Sequence, residues 1–352
     1  MTDFLKLNGI EAMLVADPYN MRHISGFAGG EGYVYISNQR KVIITDSRYT
    51  EAATKEAKEG FEVMQSSVYK SDIEIVKDLA KSDNANIIGF EDLFLTCNTY
   101  GRIVGICGFN NMKPLGEAVN NLRIIKNEDE LNKLRIAESI GDKAFTEILN
   151  FIRPGVTELQ VAAELEYLMK KNGAEGLSFN TIVASGKNSS LPHAVPTNKK
   201  LEEGDLVTMD FGCTFDGYCS DMTRTIVVGS ANDKQIEIYN TVLNAQLEAM
   251  KVIHSGVIGK DVHNVAAKVI ADAGYGECFG HGLGHSVGLY IHENPRFNSA
   301  ETRAIMAGTV ETVEPGIYIP NFGGVRIEDM IVVTEDGFEN LTKSPKELIE
   351  LK

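Results

Sequence analysis

The sequence predicts an α/β domain of modest size, over residues 1–125, followed by an α+β domain, over 126–352, whose two halves are related by pseudo-twofold symmetry. Three observations carry this expectation. Short β-branched runs alternate with helical ones early in the chain. The periodicity lapses around Asn120-Asn121-Leu122-Arg123-Ile124-Ile125-Lys126-Asn127, where a linker is expected. After the linker, a faint repeat places two helices and then strands in each half.

In the first domain, Met13-Leu14-Val15-Ala16, Tyr33-Val34-Tyr35-Ile36 and Lys41-Val42-Ile43-Ile44-Thr45 read as strands, and Ser47 to Glu59 as a helix. In the second, a long helix begins at Glu128. Ile152-Arg153-Pro154-Gly155-Val156 leads into a helix over Thr157 to Asn172, and Ile253-His254-Ser255-Gly256-Val257 into one from about Lys260 to Ala273. Thr157 with Gln160 forms a capping box and Gly173 supplies the stop. Phe215-Asp216-Gly217 signals a tight hairpin, and its register places Asp210 opposite Thr223, with Asp221 on the same face of the ribbon.

Composition excludes several function classes. The formal charge of -15 argues against nucleic acid and anionic membranes as partners. Cys97, Cys107, Cys213, Cys219 and Cys278 are odd in number and lack CxxC spacing, which points to a reducing cytoplasm rather than a disulfide framework. The opening Met1-Thr2-Asp3-Phe4-Leu5-Lys6-Leu7 has no signal pattern, and no apolar run is long enough to span a bilayer.

The chemistry is concentrated late in the chain. Gly280-His281-Gly282-Leu283-Gly284-His285 through His292-Glu293-Asn294-Pro295 places three of seven histidines among small residues. Carboxylates flank this stretch in strand-like contexts: Asp210 and Asp221 before it, Glu314 and Glu328 after it. One imidazole and four carboxylates could hold two metal ions. Glu328 sits in the apolar run Val325-Arg326-Ile327-Glu328-Asp329-Met330-Ile331-Val332-Val333, where a carboxylate is costly unless it is paired or metal-bound. Arg326 lies two residues earlier and could orient a ligand carboxylate. Pro315-Gly316 interrupts the strand after Glu314, so no register can be read between the two glutamates.

Met209-Asp210-Phe211-Gly212, Ser220-Asp221-Met222-Thr223-Arg224-Thr225, the His281 to Pro295 segment, Val313-Glu314-Pro315-Gly316 and Arg326-Ile327-Glu328-Asp329 together resemble the proline-specific metallopeptidases, aminopeptidase P and prolidase, of the pita-bread group. Tyr19-Asn20 to Ser25-Gly26-Phe27 and Ile44-Thr45-Asp46-Ser47-Arg48-Tyr49 resemble that family's N-terminal creatinase-like domain. The resemblance implies a pita-bread catalytic domain in which Asp210 and Asp221 hold one divalent ion, His285 and Glu314 the other, while Asp221 and Glu328 bridge both. Mn²⁺ is the first expectation, with Co²⁺, Zn²⁺ or Fe²⁺ as alternatives. It also implies a water between the ions as nucleophile, Glu314 as proton shuttle, His292 stabilising the tetrahedral intermediate, His193 touching the substrate backbone and His281 lining the pocket. Xaa-Pro aminopeptidase activity is the first expectation and Xaa-Pro dipeptidase the alternative, on peptide substrates with proline second, in a homodimer or tetramer.

Two other readings compete. Gly284-His285-Ser286-Val287-Gly288 matches the G-x-S-x-G elbow of serine hydrolases, but that elbow needs a preceding strand and a following helix. A catalytically dead binding module would be expected to have lost ligands, and none is missing. His23, His254 and His263 lie outside the motifs and receive no role, and Cys219 reads as a small strand side chain.

Overall fold

The computed structural model describes residues 1–108 and 111–352. The chain divides into two compact units, Met1–Arg123 and Ile124–Lys352. The first holds a six-stranded mixed sheet in the order Glu62–Gln65, Lys41–Thr45, Tyr33–Ser37, Ala12–Val15, Ile88–Phe90 and Met112–Pro114. Its four inner strands are short and buried on both faces, and two buried clusters flank them. The helix expected over Ser47 to Glu59 is shorter, Thr50–Glu56. At its start the Asp46 side chain accepts the Arg48 N–H at 2.8 Å, a local bond that competes with helical pairing. At its end the backbone of Ala57 turns extended.

The second unit repeats one plan twice. The helices Glu128–Ile148 and Glu158–Lys171 pack on each other and precede the strands Ile182–Ser185, Leu206–Phe211 and Met222–Val228. The helices Asp233–Met250 and Gly259–Asp272 likewise pair and precede Gly284–Ser286, Val310–Val313 and Asp329–Val333. Each helix pair closes its own apolar core against strands: Ile140, Phe145, Leu165, Val207 and Ile226 in the first half, Ile238, Val242, Val262, Val313 and Ile331 in the second. The capping box of Thr157 and Gln160 is formed.

The Asp216-Gly217 turn sets the register of the first hairpin. Phe215 pairs with Tyr218 and, beyond a break at Gly212, Asp210 pairs with Thr223. Asp216 takes a φ of 43° and Gly217 of 71°, the left-handed pair that a type I′ turn requires. The run from Val325 to Val333 is not one strand. It is split into Gly323–Arg326 and Asp329–Val333. At the break the backbone leaves its ladder, and the Glu328 N–H donates to the Thr223 carbonyl at 3.1 Å in the first half. A single register nevertheless spans the break: Val313 pairs with Asp329 and Gly316 with Arg326, which sets Glu314 opposite Glu328.

Candidate metal centre

Asp210, Asp221, His285, Glu314 and Glu328 all line one cavity of about 560 Å³, together with Phe179, His193, His281, His292, Arg296 and Tyr318. Apart from Asp210 and His285, the ligand candidates sit at strand ends, where the ladder is interrupted. The interruptions let backbone groups bond across strands instead. The Glu314 N–H donates to the Leu283 carbonyl at 2.7 Å, which ties it to the residue leading into the strand that carries His285. The His285 N–H in turn donates to Thr312 Oγ1 at 3.1 Å.

At the centre, single ligand atoms of Asp221, His285 and Glu328 all lie within 4.8 Å of one another. His285 Nε2 is 3.4 Å from Asp221 Oδ2 and 3.7 Å from Glu314 Oε1. Its Nδ1 lies 3.2 Å from the Ser286 carbonyl, which fixes Nδ1 as the protonated nitrogen and leaves the Nε2 lone pair facing the carboxylates. Burial pushes the His285 pKa down to about 3, so the ring is neutral and able to ligate.

The carboxyls show the opposite strain. Burial, then repulsion from Glu328, Asp210 and Glu314, holds Asp221 well above the usual carboxylate range. Burial and the charges of Glu314 and Asp210 do the same to Glu328, and burial raises Glu314 to about 8. Among the described residues Arg326 is the one cation bonded to the set, donating to Asp210 Oδ2 at 2.6 Å. Asp210 Oδ1 is buried and has no hydrogen-bond partner among the described residues. Four converging carboxyls against one guanidinium leave a deficit of positive charge that divalent cations fit, and the donors are hard oxygens with one imidazole.

Several residues that support this site escaped the sequence reading. Thr223 Oγ1 donates to Glu328 Oε2 at 2.6 Å and accepts from Arg326 Nε at 3.0 Å. Its place opposite Asp210 in the hairpin was the available signal. Tyr318 Oη accepts from Arg326 Nη1 at 2.8 Å and lies 3.0 Å from His281 Nε2. Because His281 Nδ1 faces the Gly282 carbonyl at 2.7 Å, Nε2 is the acceptor and the imidazole turns its ring toward the cavity. Buried Lys126 reaches both Ser286 Oγ at 3.1 Å and Glu293 Oε2 at 3.2 Å, joining the segments that carry His285 and His292. Those two rings are T-shaped with centroids 4.6 Å apart. Glu138, fully buried, accepts the Asp221 N–H at 3.3 Å and the Thr342 hydroxyl at 2.6 Å. Nothing in the local sequence marks Lys126 or Glu138, since both depend on long-range packing.

The serine reading finds no support in this geometry. A strand, not a helix, follows Ser286, which is completely buried and accepts a hydrogen bond from Lys126. His193, by contrast, sits exposed at the cavity rim, and His292 faces the same opening.

Residues 132–335 match the model of metallopeptidase family M24, and residues 1–125 match that of the Creatinase/Prolidase N-terminal domain. The chain belongs to metallopeptidase family M24. An Xaa-Pro dipeptidase of Pyrococcus horikoshii is 41% identical over 353 residues, covering 99% of this chain and 97% of that one. Among solved structures, an Xaa-Pro dipeptidase from Bacillus anthracis superposes with a TM-score of 0.96 at 44% identity, covering 99% of this chain and 97% of the other. An X-Pro aminopeptidase from Thermotoga maritima gives 0.92 at 37% identity, covering 99% of each. The family carries the pita-bread fold expected for the second unit. Among the described residues no helix is long and apolar enough to cross a membrane.

Proposed function

We propose that this M24 metallopeptidase is an Xaa-Pro dipeptidase, with Asp210, Asp221, His285, Glu314 and Glu328 holding two divalent ions, Mn²⁺ in the first instance. The convergence of these five residues in one cavity carries the reading. Bound there, the ions would supply Lewis acidity to the scissile carbonyl and acidify water at the site. The chain's own groups account for the rest. Glu314 accepts the proton of the attacking water and returns it to the leaving proline nitrogen. His292, its pKa lowered first by partial burial and then by Arg296, is neutral and donates an N–H to the developing oxyanion. His193 at the rim meets the substrate backbone. His281 and Tyr318 form the wall for the proline ring, because an X-Pro amide has no N–H to recognise and shape must substitute for it.

The dipeptidase reading is preferred over the aminopeptidase reading for two reasons. The Pyrococcus and Bacillus relatives carry the dipeptidase name. Arg296 also lines the cavity, and its guanidinium makes no hydrogen bond or ion pair among the described residues, which suits the free carboxylate of a dipeptide. The Thermotoga neighbour keeps the aminopeptidase reading as the second one. Five unpaired cysteines suit a reducing cytoplasm, and a homodimer or tetramer is the proposed assembly.

Product analysis of Ala-Pro against Ala-Pro-Ala with Mn²⁺ present tests the choice. We expect kcat/KM for Ala-Pro to exceed that for Ala-Pro-Ala by about tenfold or more, and Arg296→Ala to erase the difference mainly through KM. Equal or faster release of alanine from Ala-Pro-Ala would replace the dipeptidase reading with the aminopeptidase one.

A further inference from the structure

His193 stands in the segment between Ser185 and Thr197, and that segment closes on a single side chain outside the cavity. Glu158, the first residue of the helix Glu158–Lys171, is completely buried, yet its carboxylate accepts from both ends of the segment. Glu158 Oε1 accepts from the Ser185 N–H at 2.7 Å and the Ser185 hydroxyl at 2.8 Å. Oε2 accepts from the Thr197 N–H at 3.0 Å and the Thr197 hydroxyl at 2.6 Å. The Asn188 amide lies against both oxygens, at 3.1 and 3.2 Å. A carboxylate buried this deeply is costly unless its lone pairs are filled, and here each oxygen is filled by the loop alone. Midway, the Gly324 N–H donates to Ser189 Oγ at 2.9 Å and Arg326 Nη1 reaches the Pro192 carbonyl at 3.3 Å, so the strand that orients Asp210 also holds the loop's centre.

We infer that Glu158 is a positioning residue: by clasping Ser185 and Thr197 it fixes the loop that presents His193 to the substrate. The inference rests on the reading of His193 as a substrate contact. Loop closure by one carboxylate takes up the conformational freedom that a segment of this length would otherwise lose on binding. Few groups other than a carboxylate could serve, because both ends offer backbone N–H donors that cannot reverse their role.

Glu158→Gln tests the clasp at nearly constant volume, since its amide NH₂ must face one of the two backbone N–H groups and release that end. Thr197→Val removes one hydroxyl contact without touching the helix start, and serves if the first variant folds poorly. In the metal-loaded enzyme we expect Glu158→Gln to lower kcat/KM on Ala-Pro by roughly tenfold to a hundredfold, the range that a displaced contact produces. Metal content should be unchanged and proteolysis within 186–197 faster. The deciding comparison is made in a His193→Ala background. If Glu158 acts through His193, Glu158→Gln adds no further loss there. Multiplying losses, or unchanged proteolysis of the loop, would overturn the inference alone. Wild-type kcat/KM in His193→Ala would overturn the reading of His193 and the inference with it.

Discussion

The two halves of the catalytic unit follow one plan, but they deliver their ligands differently. The first contributes Asp210 and Asp221 from a hairpin whose register is set by one Asp-Gly turn. The second contributes His285, Glu314 and Glu328 from strands that break or shift register at or beside each ligand. The breaks bring the halves together, since the backbone N–H freed at Glu328 is satisfied by Thr223 of the first hairpin. One hairpin register, kept across the break at Gly212 and Asp221, places two carboxylates on one face. Closing the set around them requires irregular backbone from the other half.

The sharpest way to break this comparison is to remove a ligand from the first half. Asp221 is the candidate with neighbours on every side, and Asp221→Asn should abolish metal binding, with kcat/KM falling about a thousandfold, equivalent to roughly 4 kcal/mol. Elemental analysis after dialysis, alongside turnover of Ala-Pro, checks it. A variant that keeps two equivalents of metal would remove Asp221 from the ligand set.

His292 separates the halves by role, since it lies in the second half and bonds none of the carboxylates. His292→Ala should retain metal and lose about a hundredfold in kcat with little change in KM, as for loss of one transition-state hydrogen bond. Metal loss equal to that of Asp221→Asn would show that the loop around His292 shapes the centre rather than acting on the substrate.

Legibility follows the same divide. The Asp210–Thr223 pairing could be read because turn chemistry fixes register locally and side chains alternate strictly along a ribbon. The two paired helices in each half were legible from periodicity and from the Thr157 capping box. The Glu314–Glu328 pairing was obscured because Pro315-Gly316 hides the fact that one register resumes after the break. Lys126, Glu138 and Glu158 were illegible for another reason: their partners lie 27 or more positions away in sequence, and a buried charge becomes visible only once its donors are assembled. These three residues, which hold the site in place, are ordinary helix or linker positions.

The smallest effect expected concerns the charge that both halves bring to the centre. Without metal, Glu314 is pushed up to about 8 by burial, against an ordinary value near 4.5, and Asp221 and Glu328 are raised as well. A carboxyl whose folded pKa is raised binds a proton more tightly in the native state than in the unfolded chain. Its favourable contribution is therefore complete below that ordinary value and is lost as the pH rises through the folded value. The metal-free protein should lose Tm between pH 6 and pH 9. Mn²⁺ should restore it most at the upper end, where ligands bind metal without first releasing protons. Asp221→Asn removes one charge from the crowd, so the metal-free variant should match or exceed the metal-free parent in Tm at pH 9 while gaining nothing from Mn²⁺. Calorimetry of both proteins across this range, with and without metal, provides the measurement. A metal-free Tm that climbs from pH 6 to pH 9 would mean that the carboxylates are already compensated within the chain, and that the two halves meet without needing cations between them.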